Sequence, residues 1–262
     1  MLTIAIAGAA GRMGKRVAAL AMESGQLDLV AALEHSGHEA LGQDAGELAG
    51  SGAFGLAVTD TLVCHADVLI DFSLPEGTLE WLNVCRSRGI PMVTGTTGLT
   101  ESQAAEIADA AGQIAIVKAA NMSVGINVLM KVVSELARTL GRDYDVEIAE
   151  THHRFKADAP SGTAVMLAKA VCAATARDYG DSVVFGRGGR QARKPDEIGI
   201  HSARIGDTVG EHAVAFGNLG ETVTISHCAH SRDTFANGAL KAAQWVVAKP
   251  AGLYSMQAVL GL

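Results

Sequence analysis

The chain has 262 residues, of which 48% are hydrophobic, 19% charged and 4% aromatic, and its formal net charge is −7 at pH 7. This length fits one or two domains, and no apolar run reaches the roughly 20 residues that a transmembrane helix needs. The negative charge and the few aromatic side chains argue against a nucleic-acid-binding protein, which typically has a basic face or stacking aromatics.

The four cysteines are scattered along the chain without C-x-x-C spacing, at Cys64, Cys85, Cys172 and Cys228. We interpret them as buried free thiols in a reducing compartment, because neither a disulfide framework nor a zinc site has this spacing. The first residues lead directly into a predicted strand, without the basic and apolar regions of a secretion signal. We therefore expect a cytoplasmic protein with no membrane partner.

The N-terminal region has the pattern of a dinucleotide-binding βαβ unit. A short apolar run, Leu2–Ala7, predicts a buried strand, a G-x-x-G-x-x-G segment follows at Gly8–Gly14, and Lys15–Leu20 predicts a helix. A second strand is predicted at Leu27–Leu33, and Glu34 follows it 20 residues beyond the last glycine, where a ribose-binding acid is expected. The alternative is an ordinary βαβ turn whose glycines serve only packing.

The rest of the first half continues to alternate strands and helices. After a glycine-rich stretch at Gly37–Gly55, interpreted as a loop with a short helix, strands are predicted at Asp67–Phe72, Pro91–Thr94 and Ile114–Val117, and helices at Gly77–Arg88 and Ser102–Ala111. This alternation predicts a parallel sheet with helices on both faces.

The loops that follow these strands are small and polar. They lie at residues 8–14, 34–35, 72–73, 95–98 and 119–122. Open α/β sheets bind their ligands at the carboxyl ends of the strands, so we expect a cofactor groove lined largely by backbone. For Gly95–Gly98 a plain turn is the alternative.

The segment Glu150–Thr163 concentrates charge ahead of a predicted helix. Four potential cations, His152, His153, Arg154 and Lys156, fall within five positions, and a helix is predicted over Ser161–Ala174. A helix N-terminus presents unpaired N–H groups and a partial positive charge, so it binds anions. The segment therefore suits a small acidic substrate that must be held and protonated. The alternative is a charged loop before a well-capped helix.

The second half of the chain has a different pattern. A helix is predicted at Val124–Leu140 and another at Arg232–Val247, with strands at Asp145–Ala149, Ile198–Ile205, Glu211–Phe216 and Glu221–His227. This pattern favours an open, mixed sheet with one helical face. The other face would stay exposed unless a partner covers it, so we expect an oligomer built on this sheet.

The basic run Arg187, Arg190, Arg193 and Lys194 is rich in neighbouring glycines. It fits a solvated mobile loop, and the alternative is a lid that attracts an anionic substrate.

The histidines do not have the spacing of a metal site. His152 and His153 are adjacent and point to opposite faces of an extended segment, and His227 and His230 would also diverge on a strand. No H-x-x-x-H or C-x-x-C motif is present, so we predict no metal.

Seven motifs in this order resemble the 4-hydroxy-tetrahydrodipicolinate reductase family, long called dihydrodipicolinate reductase. They are Gly8–Gly14, Gly95–Gly98, Ala119–Gly125, His152–Arg154, Lys156–Thr163, Gly210–His212 and Thr234–Gly238. The resemblance spans essentially the whole chain. The segment His152–Thr163 carries most of its specificity, since the glycine loop occurs in many dinucleotide-binding proteins.

The resemblance implies an α/β protein with a Rossmann-type parallel-sheet nucleotide domain and an α+β substrate domain with an open mixed sheet. The nucleotide domain would comprise residues 1–122 and 237–262, and residues 123–236 would bind substrate and form the oligomer. The family reduces 4-hydroxy-tetrahydrodipicolinate (dihydrodipicolinate) to tetrahydrodipicolinate with NADH or NADPH, on the diaminopimelate route to lysine. The resemblance also implies a homotetramer, with the nicotinamide and the substrate ring meeting in a cleft between the two domains.

Several residues match the family's catalytic and substrate-binding positions. His152 and Lys156 match its catalytic pair, and we expect Lys156 to donate the proton while His152 assists as acid/base and charge stabiliser. His153, Gly162 and Thr163 match substrate-binding positions, and Ser161, at the predicted cap of the helix, completes that set. Phe155 departs from relatives that often carry a further histidine there, which leaves these roles untouched.

The resemblance also assigns the cofactor residues. The pyrophosphate would contact Gly8, Ala9, Ala10, Gly11, Arg12 and Met13, and Glu34 would bind the adenosine ribose. The nicotinamide side would be lined by Gly95, Thr96, Thr97, Ala119, Ala120, Asn121 and Met122. His35 stands where relatives often carry an arginine for a 2′-phosphate, so we expect a preference for NADH, with Arg12 allowing some use of NADPH.

Two other functions stay open at this point. Another NAD(P)-dependent amino-acid or imino-acid dehydrogenase would keep the glycine loop but need not keep Lys156–Thr163. A non-catalytic dinucleotide sensor could lose His152 and Lys156, and both are present.

Overall fold

The computed structural model describes all residues from 1 to 262. Its chain divides into two compact units, Met1–Val124 with Arg232–Leu262, and Gly125–Ser231. None of its helices combines the length and the apolar character that crossing a bilayer would require.

The first unit contains a seven-stranded sheet in the order β12-β6-β5-β4-β1-β2-β3, in which every neighbouring pair is parallel. Its strands are β1 (Leu2–Ala7), β2 (Leu27–Leu33), β3 (Val58–Thr59), β4 (Val68–Asp71), β5 (Met92–Thr94), β6 (Ala115–Lys118) and β12 (Gly252–Tyr254). Because all strands run the same way, their carboxyl ends and the loops that follow them share one edge of the sheet.

Helices cover both faces of this sheet. They are α1 (Arg12–Glu23), α2 (Ala45–Ala49), α3 (Pro75–Arg88), α4 (Glu101–Ala110), α8 (Asp233–Val246) and α9 (Met256–Leu260). Alternate residues of β1 enter two separate cores: Ile4 and Ile6 pack with α1 and α8, whereas Ala5 and Ala7 pack with α3 and α4. This alternation follows from the two-residue period of a strand and explains why the strand has no polar face.

The second unit contains a five-stranded mixed sheet in the order β11-β10-β7-β9-β8. Its strands are β7 (Asp145–His152), β8 (Val183–Phe185), β9 (Ile198–Arg204), β10 (Gly210–Asn218) and β11 (Glu221–Ala229). The strands β11, β10 and β7 pair antiparallel, and β7, β9 and β8 pair parallel. Its helices are α5 (Val124–Leu140), α6 (Gly162–Thr175) and α7 (Tyr179–Ser182), with a 3₁₀ turn at Gly141–Asp143.

The two faces of this sheet differ in burial. On the face that we call inner, Val146, Ile148 and Val214 form a core with apolar residues of α5 and α6. On the opposite, outer face, small side chains such as Ala149 and Ser226 are exposed. The predicted open mixed sheet with one helical face is therefore confirmed.

The fold class is as predicted, with corrections at the element ends. The helix α1 begins at Arg12, three positions before the predicted start, because Gly11 is its N-cap. The strand β7 continues to His152 instead of ending at Ala149, because it pairs with β9 and β10 on both sides. Three short strands, β3, β8 and β12, and two short helices, α7 and α9, were not predicted from the sequence.

Candidate dinucleotide and substrate sites

The glycine loop after β1 is shaped by close backbone approaches. Gly8 has φ +73°, and a Cβ there would lie 2.7 Å from the carbonyl oxygen of Phe72. A Cβ at Gly14 would lie 2.0 Å from the carbonyl oxygen of Gly8, so the third glycine lets helix and loop touch. No side chain caps α1 at Gly11. The first amides of α1 therefore have no acceptor within the helix and form a site suited to an anion.

Glu34 lies against this loop at the end of β2. It is buried, and its Oε1 accepts a hydrogen bond from the backbone N–H of Ala10 at 2.8 Å. Together they border a cavity of about 510 Å³, lined by Gly8, Ala10, Gly11, Glu34, His35, His38, Phe72, Ser73, Leu74, Glu76, Gly77, Glu80 and Trp81. The predicted ribose acid and half of the predicted pyrophosphate loop thus line one cavity; Ala9, Arg12 and Met13 do not line it.

Two histidines line the cavity, and in each of them a hydrogen bond with the backbone decides which ring nitrogen carries the proton. Nδ1 of His35 lies 2.9 Å from the carbonyl oxygen of Ser36, which can only accept, so the neutral ring keeps its lone pair on Nε2. Nδ1 of His38 accepts from the N–H of Ala40 at 3.0 Å, so the neutral ring carries its proton on Nε2. The prediction from sequence included His35 but missed His38, although the two stand three positions apart.

Glu34, His35 and His38 also offer ligand atoms that all lie within 4.8 Å of one another. The prediction of no metal considered other histidines and did not weigh this group. Two of these ligand atoms already accept hydrogen bonds, Nδ1 of His38 from the N–H of Ala40 and Oε1 of Glu34 from the N–H of Ala10. A cation bound to either atom would break that hydrogen bond. The hydrogen bonds as they stand suit a ligand with hydroxyl groups.

A buried carboxylate organises the next two loops of the same edge. Asp71 is 0% exposed, and its Oδ1 accepts from the N–H of Ser73 at 3.0 Å and from its hydroxyl at 2.5 Å. Its Oδ2 accepts from the hydroxyls of Thr78, Thr94 and Thr96 at 2.7, 2.8 and 3.0 Å. These five donors fix the loops after β4 and β5. From the sequence, Asp71 was predicted only as part of a strand.

The residues predicted for the nicotinamide side occupy the loops after β5 and β6, and none of them lines the 510 Å³ cavity. A Cβ at Gly95 would lie 2.2 Å from the ring of Phe72, so only glycine fits there. The N–H of Ala119 donates to the carbonyl oxygen of Thr94 at 3.1 Å. The side chain of Met122 is buried in the core, which leaves its backbone as the part that can face a ligand.

In the second unit, Glu150 connects three elements at one end of the inner face. It is 2% exposed, and its Oε2 lies 2.5 Å from Nδ1 of His152. Arg204 contacts both carboxylate oxygens at 2.9 Å, and the N–H of Ser161 donates to Oε1 at 3.1 Å. Burial alone would raise the pKa of Glu150, but hydrogen bonds from Arg204, Ser202, His152 and Ser161 outweigh it and lower the pKa to about 2.

Two histidine rings meet in this network. The rings of His152 and His212 are 5.1 Å apart in an edge-to-face arrangement, and Nε2 of His212 lies 3.0 Å from the hydroxyl of Ser161. Burial, followed by the neighbouring His152, lowers the pKa of His212 to about 4. Burial also lowers the pKa of His152, although the bond to Glu150 opposes this. Both rings are therefore neutral at pH 7.

Lys156 belongs to the same electrostatic neighbourhood. Its positive charge contributes to the lowered pKa of both His152 and His212. Its Nζ lies 2.7 and 2.8 Å from the two carboxylate oxygens of Asp158. Nη2 of Arg204 donates to the backbone carbonyl of Asp158 at 2.5 Å, which ties this loop to Glu150. Asp158 was quoted in the motif but was given no role.

The remaining predicted substrate residues surround the start of α6. Ser161 caps the helix as predicted, its hydroxyl accepting from the N–H of Ala164 at 3.2 Å, and it is 2% exposed. Its hydroxyl and amide are thus already engaged within the protein. Gly162 is exposed, and a Cβ there would meet nothing within 4 Å. His153 is half-buried, and its Nδ1 has no hydrogen-bond partner.

Two arginines of the basic run form ion pairs on the outer face of the mixed sheet. Arg187 donates to Oε1 of Glu147 at 2.7 Å, and Arg193 contacts the same oxygen, whereas Arg190 and Lys194 are exposed. Glu147 stands three residues before Glu150 on β7, so its side chain lies on the outer face. The prediction of a mobile, solvated loop is wrong for the two paired arginines.

A parallel sheet covered on both faces, with a glycine loop and a ribose-type acid at its carboxyl edge, defines a dinucleotide-binding α/β protein. Its second unit adds a mixed sheet with a buried carboxylate–histidine network. The chain belongs to the dihydrodipicolinate reductase family. Residues 2–122 match the family described as "Dihydrodipicolinate reductase, N-terminus", and residues 125–260 match "Dihydrodipicolinate reductase, C-terminus".

Full-length relatives agree with this membership. The chain is 48% identical to the 4-hydroxy-tetrahydrodipicolinate reductase of Citrifermentans bemidjiense and 49% identical to that of Geobacter sulfurreducens, in both cases over 100% of each chain. A dipicolinate-bound dihydrodipicolinate reductase from Paenisporosarcina sp. TG-14 is similar in structure, with TM-score 0.77 and 25% identity over 97% of each chain. An amine dehydrogenase from Mycobacterium smegmatis shares the fold, with TM-score 0.58 and 16% identity over 97% of this chain and 95% of its own.

Proposed function

We propose that this chain reduces 4-hydroxy-tetrahydrodipicolinate to tetrahydrodipicolinate with NAD(P)H, on the diaminopimelate route to lysine. The full-length identity to curated reductases carries this proposal. The segment His152–Thr163 is intact and lies on a polar network suited to acid–base chemistry. The test is a coupled assay, in which the preceding synthase makes the unstable substrate and the loss of NADH absorbance is followed. No oxidation of either NADH or NADPH above the synthase-free control would contradict the proposal.

Lys156 serves as the proton donor in this scheme. Loss of the 4-hydroxyl group as water gives the conjugated dihydrodipicolinate ring. Hydride supplied by the bound dinucleotide would then add at C4 and shift electron density toward the ring nitrogen, which a proton must follow. Neutral His152 offers a nitrogen lone pair and no standing charge, so the cationic partner of the developing negative charge is Lys156. Of the two roles expected for His152, acid/base assistance therefore remains in our proposal, and charge stabilisation falls to Lys156.

The dicarboxylate is held at the start of α6 in our proposal. The backbone amides of Gly162 and Thr163 occupy the first turn of a 14-residue helix, where the helix dipole favours an anion. His153 contributes from the adjoining loop. Ser161 supports this cradle from beneath through its cap and its bond to His212.

The first unit holds the dinucleotide in our proposal. The pyrophosphate lies on the glycine loop from Gly8 to Met13, Glu34 binds the ribose hydroxyls, and the loops 95–97 and 119–122 line the nicotinamide. The uncapped start of α1 and the bond between Glu34 and Ala10 support this arrangement.

We propose that NADH is preferred over NADPH. The cavity beside Glu34 is also lined by the carboxylates of Glu76 and Glu80, and a 2′-phosphate would add like charge. The contact with Ser36 places a ring proton of His35 on Nδ1, so the unprotonated form has its lone pair on Nε2 and offers no donor there to a phosphate, which leaves His38 as the one imidazole donor of the pair. Exposed Arg12 is the side chain able to offset this. A kcat/KM for NADPH clearly above that for NADH at pH 7.5 would overturn the preference.

We propose a cytoplasmic homotetramer assembled through the outer face of the mixed sheet. Small side chains are exposed across that face, including Ala149, Ala203 and Ser226, and they permit close approach of a second sheet. All four cysteines are free thiols, which fits a reducing compartment, although only Cys85 and Cys172 are buried as predicted, whereas Cys64 is half-buried and Cys228 is exposed. Analytical ultracentrifugation at micromolar concentration tests the assembly, and a single 27 kDa species would reject it.

A further inference from the structure

The carboxylate of Glu150 receives hydrogen bonds from three separate elements. It bonds to His152 on its own strand, to Arg204 on the neighbouring strand β9, and to the N–H of Ser161 at the start of α6. The resemblance gives Glu150 no role, and the proposed mechanism assigns it none. A carboxylate that is this deeply buried and this fully bonded is costly unless its partners are fixed as shown.

We propose that Glu150 is the positioning residue of His152: it holds the imidazole with its proton on Nδ1, so that Nε2 is the atom available for proton exchange. This inference rests on the proposed function, in which His152 assists proton transfer. Glu150 itself exchanges no proton with the substrate and acts only through the imidazole.

The hydrogen-bond directions support this assignment. An ionised carboxylate can only accept, so Nδ1 of His152 must be the donor in the 2.5 Å contact. Arg204 donates to both oxygens of Glu150 and keeps the carboxylate ionised, so that Glu150 does not take the proton from the ring. A neutral imidazole with its proton on Nδ1 has its lone pair on Nε2.

The backbone position beside Nε2 of His152 carries no side chain. Gly210 lies opposite it on β10, and a Cβ at that position would be 3.0 Å from Nε2 and 3.4 Å from Cδ2 of His152. A side chain there would contact the one ring nitrogen that the proposal needs. Glycine at this place therefore fits a free Nε2.

The same carboxylate also positions the other proposed substrate groups. Its bond to the N–H of Ser161 fixes the first turn of α6, and its partner Arg204 holds the loop of Lys156 through the carbonyl of Asp158. Glu150 and Arg204 are 54 positions apart in sequence, so the parallel pairing of β7 with β9 is what brings them together.

The test is Glu150→Gln. An NH₂ group at the place of Oε1 would meet two donors, Ser161 N–H and Arg204 Nη2, whereas at the place of Oε2 it would meet only Arg204 Nη1 besides His152, so we expect the amide oxygen at Oε1. Its NH₂ group then faces Nδ1 of His152 and donates to it, which forces the ring proton onto Nε2. We expect kcat to fall by about 100-fold or more, the scale of general acid–base catalysis, with the dissociation constant for NADH unchanged. Long-range ¹H–¹⁵N spectra of ¹⁵N-histidine protein should show the tautomer change, with the His152 signals assigned from a His152→Asn spectrum.

Glu147→Gln is the matched control. Glu147 lies on the same strand and also bonds to two arginines and a histidine, His201 at 2.7 Å, but it faces outward. The Glu147→Gln protein should have the sedimentation coefficient of the unsubstituted enzyme and a kcat within about threefold of it. The tautomer of His152 should also be unaltered in this variant. A merely structural role for Glu150 predicts a loss of stability without a change in the tautomer of His152.

The proposal is overturned if Glu150→Gln turns over like Glu147→Gln, or if His152 in the unsubstituted protein carries its proton on Nε2. Should Glu150→Gln fail to fold, Glu150→Asp is used with the spectrum of the unsubstituted protein. A proton on Nδ1 together with a lowered kcat and unchanged NADH binding then supports the proposal, and a normal kcat overturns it. The spectra need no turnover, so a failure of the proposed reaction would remain distinguishable from a failure of this inference.

Discussion

Lys156 pairs with a carboxylate of its own loop. Its Nζ contacts both oxygens of Asp158, whose pKa is lowered chiefly by the hydrogen bond to this lysine. Asp158 is largely exposed, so the pair is screened by water and contributes little stability. A dianionic substrate offers the same kind of acceptor. We infer that binding exchanges one carboxylate partner of Lys156 for another at small net cost.

Replacing the proposed catalytic side chains should abolish most turnover without disturbing the fold. Lys156→Ala and His152→Ala should each lower kcat by roughly 100-fold or more, because proton transfer by a positioned group contributes on this scale. The measurement is steady-state kinetics in the coupled assay. Lys169→Ala, which removes an exposed lysine from α6, is the control. Near-normal turnover in both catalytic variants would reject the assignment.

A single methyl group opposite His152 should also slow the reaction. In Gly210→Ala the new Cβ lies 3.0 Å from Nε2 of His152, closer than most real contacts, so the ring or the strand must shift. We expect kcat to fall by about 10-fold, since misplacement of a catalytic group by a fraction of an ångström is costly. Gly217→Ala on the same strand meets only an ordinary 3.5 Å contact with Thr222 and should leave kcat unchanged. Equal rates in the two variants would contradict the expected geometry.

At the scale of elements, α6 links stability to the site through its cap. Ser161 and Ser255 each cap a helix, accepting from the N–H three residues on, but only Ser161 also contacts a buried histidine. We expect Ser255→Ala to lower the free energy of unfolding by about 1 kcal/mol, the usual value of an N-cap. Ser161→Ala should cost about 2 kcal/mol, because His212 also loses its partner.

Urea unfolding at a fixed protein concentration measures this difference. The two variants should also differ in activity, because the cap of α6 lies beneath the proposed carboxylate cradle and that of α9 belongs to the first unit. A Ser161→Ala protein as stable as the Ser255→Ala protein would show that the contact with His212 contributes nothing.

The long periodic elements could be predicted from sequence and the short ones could not. The strands β1 and β2 and the helix α5 have the predicted bounds, because their apolar periodicity specifies them locally. The strands β3, β8 and β12 have two or three residues each. So short a segment has no period of its own, and pairing with a neighbouring strand makes it a strand.

The candidate site divides in the same way. His152, Lys156 and Glu34 stand in compact motifs, so the sequence shows them directly. Glu150 and His212 depend on the register of β7 with β10, which pairs these two positions across the sheet. No local pattern reports such a pairing. His38 and Asp71 were missed for a related reason: hydrogen bonds made only in the folded chain reveal their roles.

At the scale of the whole molecule, the buried polar network makes stability depend on pH. The pKa of His212 is lowered to about 4, against an ordinary 6.5, so between these values the unfolded chain binds a proton that the folded chain does not. Stability therefore falls as the pH drops from about 6.5 to 4. Glu150, with its pKa lowered from 4.5 to about 2, extends the loss from about pH 4.5 downward to 2.

The contribution of His212 can be isolated by substitution. The change from pH 6.5 to 4 should be about 3 kcal/mol for this residue, at 1.36 kcal/mol for each unit of pKa. In His212→Gln, urea midpoints measured between pH 4 and 7 should decline less steeply than those of the unsubstituted protein. Parallel curves for the two proteins would show that His212 does not carry the acid sensitivity.

The first unit is built from both ends of the chain, which affects how it folds during synthesis. The edge strand β12 and the helix α8, which supplies much of one core, both come from Arg232–Leu262. The residues of the second unit leave the ribosome earlier and can fold while the parallel sheet still lacks an edge strand and the cover of one face. A nascent chain halted before Arg232 would expose apolar surface of the first unit, and such surface makes partly folded chains prone to aggregate.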